Sequence, residues 1–384
     1  MKPIRSARSS SAIQSPHTRT PAGSAEPPGP GSVAEPALER ISRGWTRFWF
    51  TPVDPIGLHL IRFLVGLLLV AWLLPFAGHL EEFFTARGWL DEQAFEQAAQ
   101  LTGGDFTPNS SLLDVLGKNS TSLTATYWVS LAILAAFALG ILPRITAILA
   151  AVVVASFTAN PAFEYEGDAL LLVLIFYVTV AYLLFGLRTP GISWTSRLLG
   201  PMLAWPLGRG DRDSRGEPRP SLAANVTLRL LQLHFALIIF TSGLHKLQFG
   251  DWWAGVALWF PLHPPFKTTL AEVIANRPNA ETYLGLLNIG TYAVLAWEIG
   301  FPLFAWRPRW RFVVIGGAVI GWIGAAFLWG LPLIGPAIFI GCLSYVSPTT
   351  WRRVLNRLPL KSNAAVEAVR KTEKPASLVS AGQR

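Results

Sequence analysis

Ile56-Gly-Leu-His-Leu-Ile-Arg-Phe-Leu-Val-Gly-Leu-Leu-Leu-Val-Ala-Trp-Leu-Leu-Pro-Phe76 interrupts an apolar run with only two ionisable side chains, His59 and Arg62. Its length matches the roughly 20 residues that a helix needs to cross a bilayer core of about 30 Å. In lipid such a helix satisfies its own backbone hydrogen bonds, which no irregular segment can do. Comparable stretches follow near Leu123–Leu142, Ile145–Phe157, Asp168–Leu187, Ala224–Leu247, Tyr283–Trp306, Phe312–Leu328 and Leu331–Val346. The sequence therefore reads as an all-α integral membrane protein, a multi-pass helical bundle of about eight transmembrane helices. The third and eighth stretches are short for a full crossing and are equally compatible with re-entrant or strongly capped helices.

Composition and charge agree. Of 384 residues, 51% are hydrophobic and 14% charged, where a soluble domain carries about 25% charged residues. With the N-terminus inside and eight crossings, the inner segments hold 25 of the 32 lysines and arginines, and the outer loops only Arg87, Lys118, Lys267 and Arg277. Cytoplasmic loops are the ones that keep lysine and arginine, so both termini are expected in the cytoplasm, with the bundle in the cell (plasma or inner) membrane. The net charge of +9 then reflects orientation and contact with anionic lipids on the cytoplasmic face, not a nucleic-acid surface. Acidic residues gather outside, at Glu81, Glu82, Asp91, Glu92, Glu96, Asp105, Asp114, Glu164 and Glu166. No internal repeat or inverted pair of broken helices points to a transporter.

The Ser-, Pro- and Gly-rich residues 1–42 read as a disordered cytoplasmic tail without the apolar core of a signal peptide. The basic and aromatic segment Arg43–Phe50 suits a headgroup layer, and residues 351–384 read as a second, basic tail. The single Cys342 excludes an intramolecular disulfide. The six histidines lack metal-ligand spacing, so no metal site is expected. A protein partner is left open.

Ionisable groups inside spans are costly and so are functional candidates. Arg62 and Glu298, at similar depths from the cytoplasmic side, are expected to pair across their helices, whether for docking or for function. His234, Thr241 and His245 fall on one stripe of span five, as interhelical hydrogen bonding alone would also require. Lys246 follows near its outer end, then Trp252 and Trp253; a lysine there also suits a helix C-terminus and snorkelling. Asp168, at the start of span four, suits helix capping but shares the level of Lys246. Together Lys246, His245, Asp168, His234, Thr241, Trp252 and Trp253 form an expected polar pocket at the outer membrane face. Removing a lysine from water makes its ammonium easier to deprotonate, which fits it for general-base work; a carboxylate close by opposes that.

Thr241-Ser-Gly-Leu-His-Lys-Leu-Gln-Phe-Gly-Asp-Trp-Trp-Ala-Gly-Val-Ala-Leu258 resembles the G-x-x-K-L…W-x-x-G-x-A/S signature of the horizontally transferred transmembrane (HTTM) domain family, shared with the membrane domain of vitamin K-dependent gamma-carboxylases. Phe50–Gly66 with Arg62, Arg87-Gly-Trp-Leu90, Gly167-Asp168 with the following apolar run, and Trp297-Glu298…Pro302 before Arg307–Arg311 resemble other parts of that family. The likeness spans about residues 45–350, within a membrane domain taken as 43–350. It implies that Lys246 occupies the position of the base that deprotonates vitamin K hydroquinone. Departures argue against glutamate carboxylation itself: the family's histidine near the start of span four is replaced in Phe163–Asp168, another in span seven is replaced around Trp322, and about 38 residues follow span eight where the carboxylases have a large lumenal domain.

Two functions follow as expectations. One is base-assisted chemistry on a lipid or quinone-like substrate at the outer face, with Lys246 and His245 as catalytic residues and no cofactor beyond such a ligand. The other is a non-catalytic membrane assembly partner or transporter component, indifferent to Lys246.

Overall fold

Leu38, Ile41 and Trp45 recur at helical spacing opposite Arg40, Arg43 and Arg47, and this pattern folds as α1 (Ala37–Phe50). In the computed structural model, residues 37–85, 88, 93, 94, 97, 119–159, 166–185, 220–263, 269–276, 278–328 and 330–357 are described. The expected tails at 1–36 and 358–384, the Arg87–Leu90 segment apart from Gly88, the acidic residues from Asp91 to Asp114, Glu164 and most of the inner connection 188–222 lie outside them. The chain divides into two units, Met1–Arg47 and Phe48–Arg384. Within the first, the helix already covers residues expected to belong to the tail.

The second unit is a helical bundle: α2 (Ile56–Leu73), α3 (Ser120–Leu139), α4 (Pro143–Thr158), α5 (Glu166–Leu184), α6 (Leu222–Lys246), α7 (Ala280–Phe304), α8 (Arg311–Leu328), α9 (Ile334–Leu343) and α10 (Pro348–Arg357). Its described residues contain no strand; Val53 and Ser221 form an isolated bridge. Among the described residues, six helices are long and apolar enough to cross a membrane: α2, α3, α5, α6, α7 and α8 with their flanking turns. The stretches expected as spans three and eight fold as α4 and α9, of 16 and 10 residues. At 1.5 Å per residue these reach about 24 and 15 Å, against a core of about 30 Å. α10 takes up residues 351–357, expected to be tail.

The breaks between helices have local causes. Pro75 stops α2, whose last turn tightens into a 3-10 segment, Leu74–Gly78. The Tyr127 hydroxyl donates to the freed carbonyls of Leu73 and Leu74, each at 3.1 Å. α3 ends on Gly140 at φ 77°, and Pro143, immediately after Leu142, opens α4. Ser221 caps α6 by accepting from the Ala224 N–H at 3.2 Å.

α9 sits among α2, α5, α6 and α8, while α2 also packs on α3, α5 and α10. Small residues permit these approaches. A Cβ added at Gly66 of α2 would meet Ala138 Cα of α3 at 2.5 Å, so the two backbones touch there. The Gln232 amide donates to the Ser344 carbonyl at 2.6 Å and the Tyr345 hydroxyl to the Gln232 carbonyl at 2.5 Å, which locks the end of α9 to α6.

Basic residues collect at one end of this unit. Arg352 of α10 forms a bidentate pair with Asp54, just before α2, at 2.7 and 2.9 Å. Val53 pairs with Ser221, just before α6. Arg144 at the start of α4 donates to the Phe185 carbonyl at the end of α5. Arg229 stacks on Phe48 and Trp306, 4.3 and 5.7 Å from their ring centroids. These contacts bring the starts of α2, α4 and α6, the end of α5 and the beginning of α10 to the same end.

Candidate functional site

α6 ends on Lys246, and the residue four positions back, Ser242, shares its face. Lys246 Nζ donates to Ser242 Oγ at 2.8 Å and to both carboxylate oxygens of Glu298 on α7, at 2.7 and 2.8 Å. The Trp252 ring lies 5.5 Å from the ammonium, within cation–π range. The side chains of Lys246 and Glu298 are 24% and 13% exposed. Gly243 makes the pair reachable: a Cβ there would stand 3.0 Å from Glu298 Cβ and 3.1 Å from the Ile299 side chain.

This pairing corrects the expected partnership of Arg62 with Glu298. Depth from the cytoplasmic ends matched, but depth does not choose neighbours. α7 packs on α6 and α8, whereas α2 packs on α3, α5, α9 and α10. Arg62 is fully buried, with its guanidinium 5.7 Å from the centroid of the Tyr182 ring. Tyr182 in turn meets His59 Nδ1 at 2.6 Å.

Lys246 closes α6, but the packing of this segment against α7 continues beyond it. The chain beyond it, through the short helices Gly250–Trp253 and Trp259–Leu262, runs on along the first half of α7. The Tyr292 hydroxyl donates to the Trp253 carbonyl at 2.6 Å, the Leu258 N–H to Thr291 Oγ1 at 3.4 Å, and Tyr283 Oη meets His263 Nε2 at 3.3 Å. Glu298 stands about 27 Å along the helix from Ala280. Exposed apolar side chains continue on both sides of the pair, with Leu233, Leu237 and Leu303 toward one end and Phe249, Phe260, Leu286 and Ile289 toward the other. Exposed apolar surface thus extends on both sides of the pair.

A cavity of about 410 Å³ adjoins it, walled by α5, α6, α7 and α9. Ile334 and Ile338 of α9 form one wall; because α9 is only 10 residues long, it cannot fill the bundle axis along its whole height. Val173, Phe235 and Ile239 supply further hydrocarbon, and His234, Ser242, Trp297 and Glu298 supply polar atoms. The volume falls in the range of small-molecule sites, about 300–1,000 Å³.

Other expected pocket residues divide. His234 lines the cavity, its Nδ1 2.9 Å from the Tyr177 hydroxyl. Asp168 is buried and accepts from Trp72 Nε1 at 3.1 Å, while the next residues, Ala169 and Leu170, reach the cavity wall. Thr241 is exposed and donates back to the carbonyls of Leu237 and Ile238. His245 is exposed against Phe249, a T-shaped contact at 5.2 Å, one residue and therefore about 100° around the helix from Lys246. Trp253 is 63% exposed. Sequence reasoning passed over Ser242, Tyr177 and Trp297; only Ser242, four residues before Lys246, carried a local signal. Among the described residues, no group of three or more His, Cys, Asp or Glu could hold a metal ion. Compared with protein-family models, curated proteins and solved structures, the chain has no significant match.

Proposed function

We propose that the protein is a membrane component of the HTTM type that binds a lipid-soluble, hydroxyl-bearing ligand, lipid or quinone-like, and moves a proton at that hydroxyl. The observation that carries this reading is Lys246 bound to both oxygens of Glu298 beside a mostly apolar cavity, with exposed apolar side chains on either side. The pair changes the division of labour expected for a lone lysine. An ammonium already held by a carboxylate is a poor base, whereas the carboxylate can accept a proton. Glu298 takes the ligand's hydroxyl proton; Lys246 stays cationic and stabilises the oxyanion that forms, in surroundings where fixed charges act strongly. His245 has no part in this step. Glutamate carboxylation is not proposed. The resemblance of Thr241–Leu258 to the HTTM signature supports the ligand class.

For topology we propose eight traverses, two of them made by the short α4 and α9, with both termini in the cytoplasm and the basic end against anionic lipids of the cell membrane. The clustering of Arg144, Arg229 and Arg352 at one end supports this orientation.

A second reading is favoured by the same ion pair: it could serve only to dock α6 on α7 in a non-catalytic assembly component. The protein purified in nanodiscs from native lipid, with bound small molecules identified by native mass spectrometry, separates the two. The charge-balanced double variant Lys246→Met/Glu298→Gln is expected to keep the fold and lose a hydroxyl-bearing ligand that the wild type retains. Equal retention by both proteins would defeat the ligand reading and leave the docking role.

A further inference from the structure

The cavity has a second polar wall, away from the ion pair. His234 and Ser242 both line it, and they lie about 12 Å apart along the axis of α6. The His234 ring is held edge-on to Tyr177, with centroids 5.7 Å apart and planes at 85°, and the Tyr177 hydroxyl sits 2.9 Å from Nδ1. That contact occupies Nδ1 and orients the imidazole in the cavity wall, and Nε2 takes no part in it. Between the two poles the wall is hydrocarbon from Val173, Ile238 and Ile338. Hydrocarbon walls hold water poorly, and a polar atom that loses water without gaining a partner costs free energy. Two polar poles separated by such a wall suit one molecule that bridges them better than two isolated waters.

Resting on the reading given above, we infer that the ligand is ditopic: a rigid apolar framework with a hydrogen-bonding oxygen at each end. One oxygen meets Glu298 and Lys246, the other meets His234. An amphiphile with a single polar head would use only the first pole. Tyr177 is a positioning residue for His234.

Three probes with one framework test this on the full chain in nanodiscs: biphenyl-4,4′-diol, biphenyl-4-ol and biphenyl, with affinities from native mass spectrometry. The diol is expected to bind about five- to tenfold tighter than the mono-ol, and the mono-ol tighter than biphenyl by a similar factor, one hydrogen bond at each step. His234→Phe is expected to bring the diol's affinity down to that of the mono-ol; Tyr177→Phe is expected to reduce the diol's advantage in part. Equal affinities for diol and mono-ol in the wild type would overturn the inference without recourse to any variant. So would a His234→Phe protein that weakens all three probes alike. Failure of the underlying site looks different: mono-ol affinity would be unmoved by Lys246→Met/Glu298→Gln, or none of the three probes would bind, and the ditopic inference would fall with it.

Discussion

An ammonium carried into a lipid-facing bundle is costly unless a carboxylate answers it, and removing one member of such a pair is worse than removing both. Lys246 and Glu298 meet that description through two short hydrogen bonds. Lys246→Met alone therefore leaves the Glu298 carboxylate without its cation and is expected to destabilise the protein by about 2 kcal/mol or more. Lys246→Met/Glu298→Gln should recover much of that loss. Thermal unfolding in detergent of the wild type, both single variants and the double variant gives the coupling; strictly additive losses would show that the two residues do not support each other. Each residue was legible in the sequence, because a charge in an apolar run declares its own cost. Their partnership was not. Arg62 lay at the right depth and had the right sign, but it belongs to α2, whose neighbours are α3, α5, α9 and α10. Choosing between two cations needs the packing order of the helices, which no depth count contains.

At the scale of elements, helix order depends on small residues that let backbones meet. Gly66 stands where any side chain would enter the Ala138 backbone at 2.5 Å. Gly66→Leu is expected to push α2 from α3 and cost about 1–3 kcal/mol or more, as overpacking does, and to lower the melting temperature in detergent; an unchanged melting temperature would mean that the helices part there without penalty. α1 makes a separate prediction. Leu38, Ile41 and Trp45 are 77%, 67% and 63% exposed on one face, and Arg40, Arg43 and Arg47 lie on the other. A peptide of residues 37–50 should bind vesicles containing phosphatidylserine and scarcely bind neutral ones. Replacing the three arginines by glutamine should weaken that binding about a hundredfold, at about 1 kcal/mol per basic residue; equal binding to both vesicle types would exclude an electrostatic role. The sequence marked the long helices well, because length and hydropathy are local properties. It drew α9 longer than the helix is because the apolar stretch Leu331–Val346 continues past both ends, into turns of which Ser344 and Tyr345 are buried by neighbours that only the fold supplies.

For the whole molecule, the deciding question is whether the chain returns after α8. α9 is too short to span alone, yet the Arg352–Asp54 pair ties α10 to the start of α2, and Val53–Ser221 ties that same place to the start of α6. The ten residues of α9, with the turn and helix after them, therefore bring the chain back to the basic end. The native Cys342 is fully buried, so single cysteines can be added over little background. With a membrane-impermeant maleimide, Ser214→Cys in the connection before α6 and Thr349→Cys in α10 are expected to label together in inside-out vesicles. Thr269→Cys, in the segment before α7, should label only in right-side-out vesicles. If Thr349→Cys labels with Thr269→Cys, α9 does not carry the chain back, and the parity of the proposed topology fails. If Ser214→Cys labels from the outside, the basic end faces away from the cytoplasm. The anionic-lipid contact would then be lost, while the Lys246–Glu298 pair and its cavity would keep their geometry, because these depend on how α5, α6, α7 and α9 pack against one another and not on which compartment their ends face.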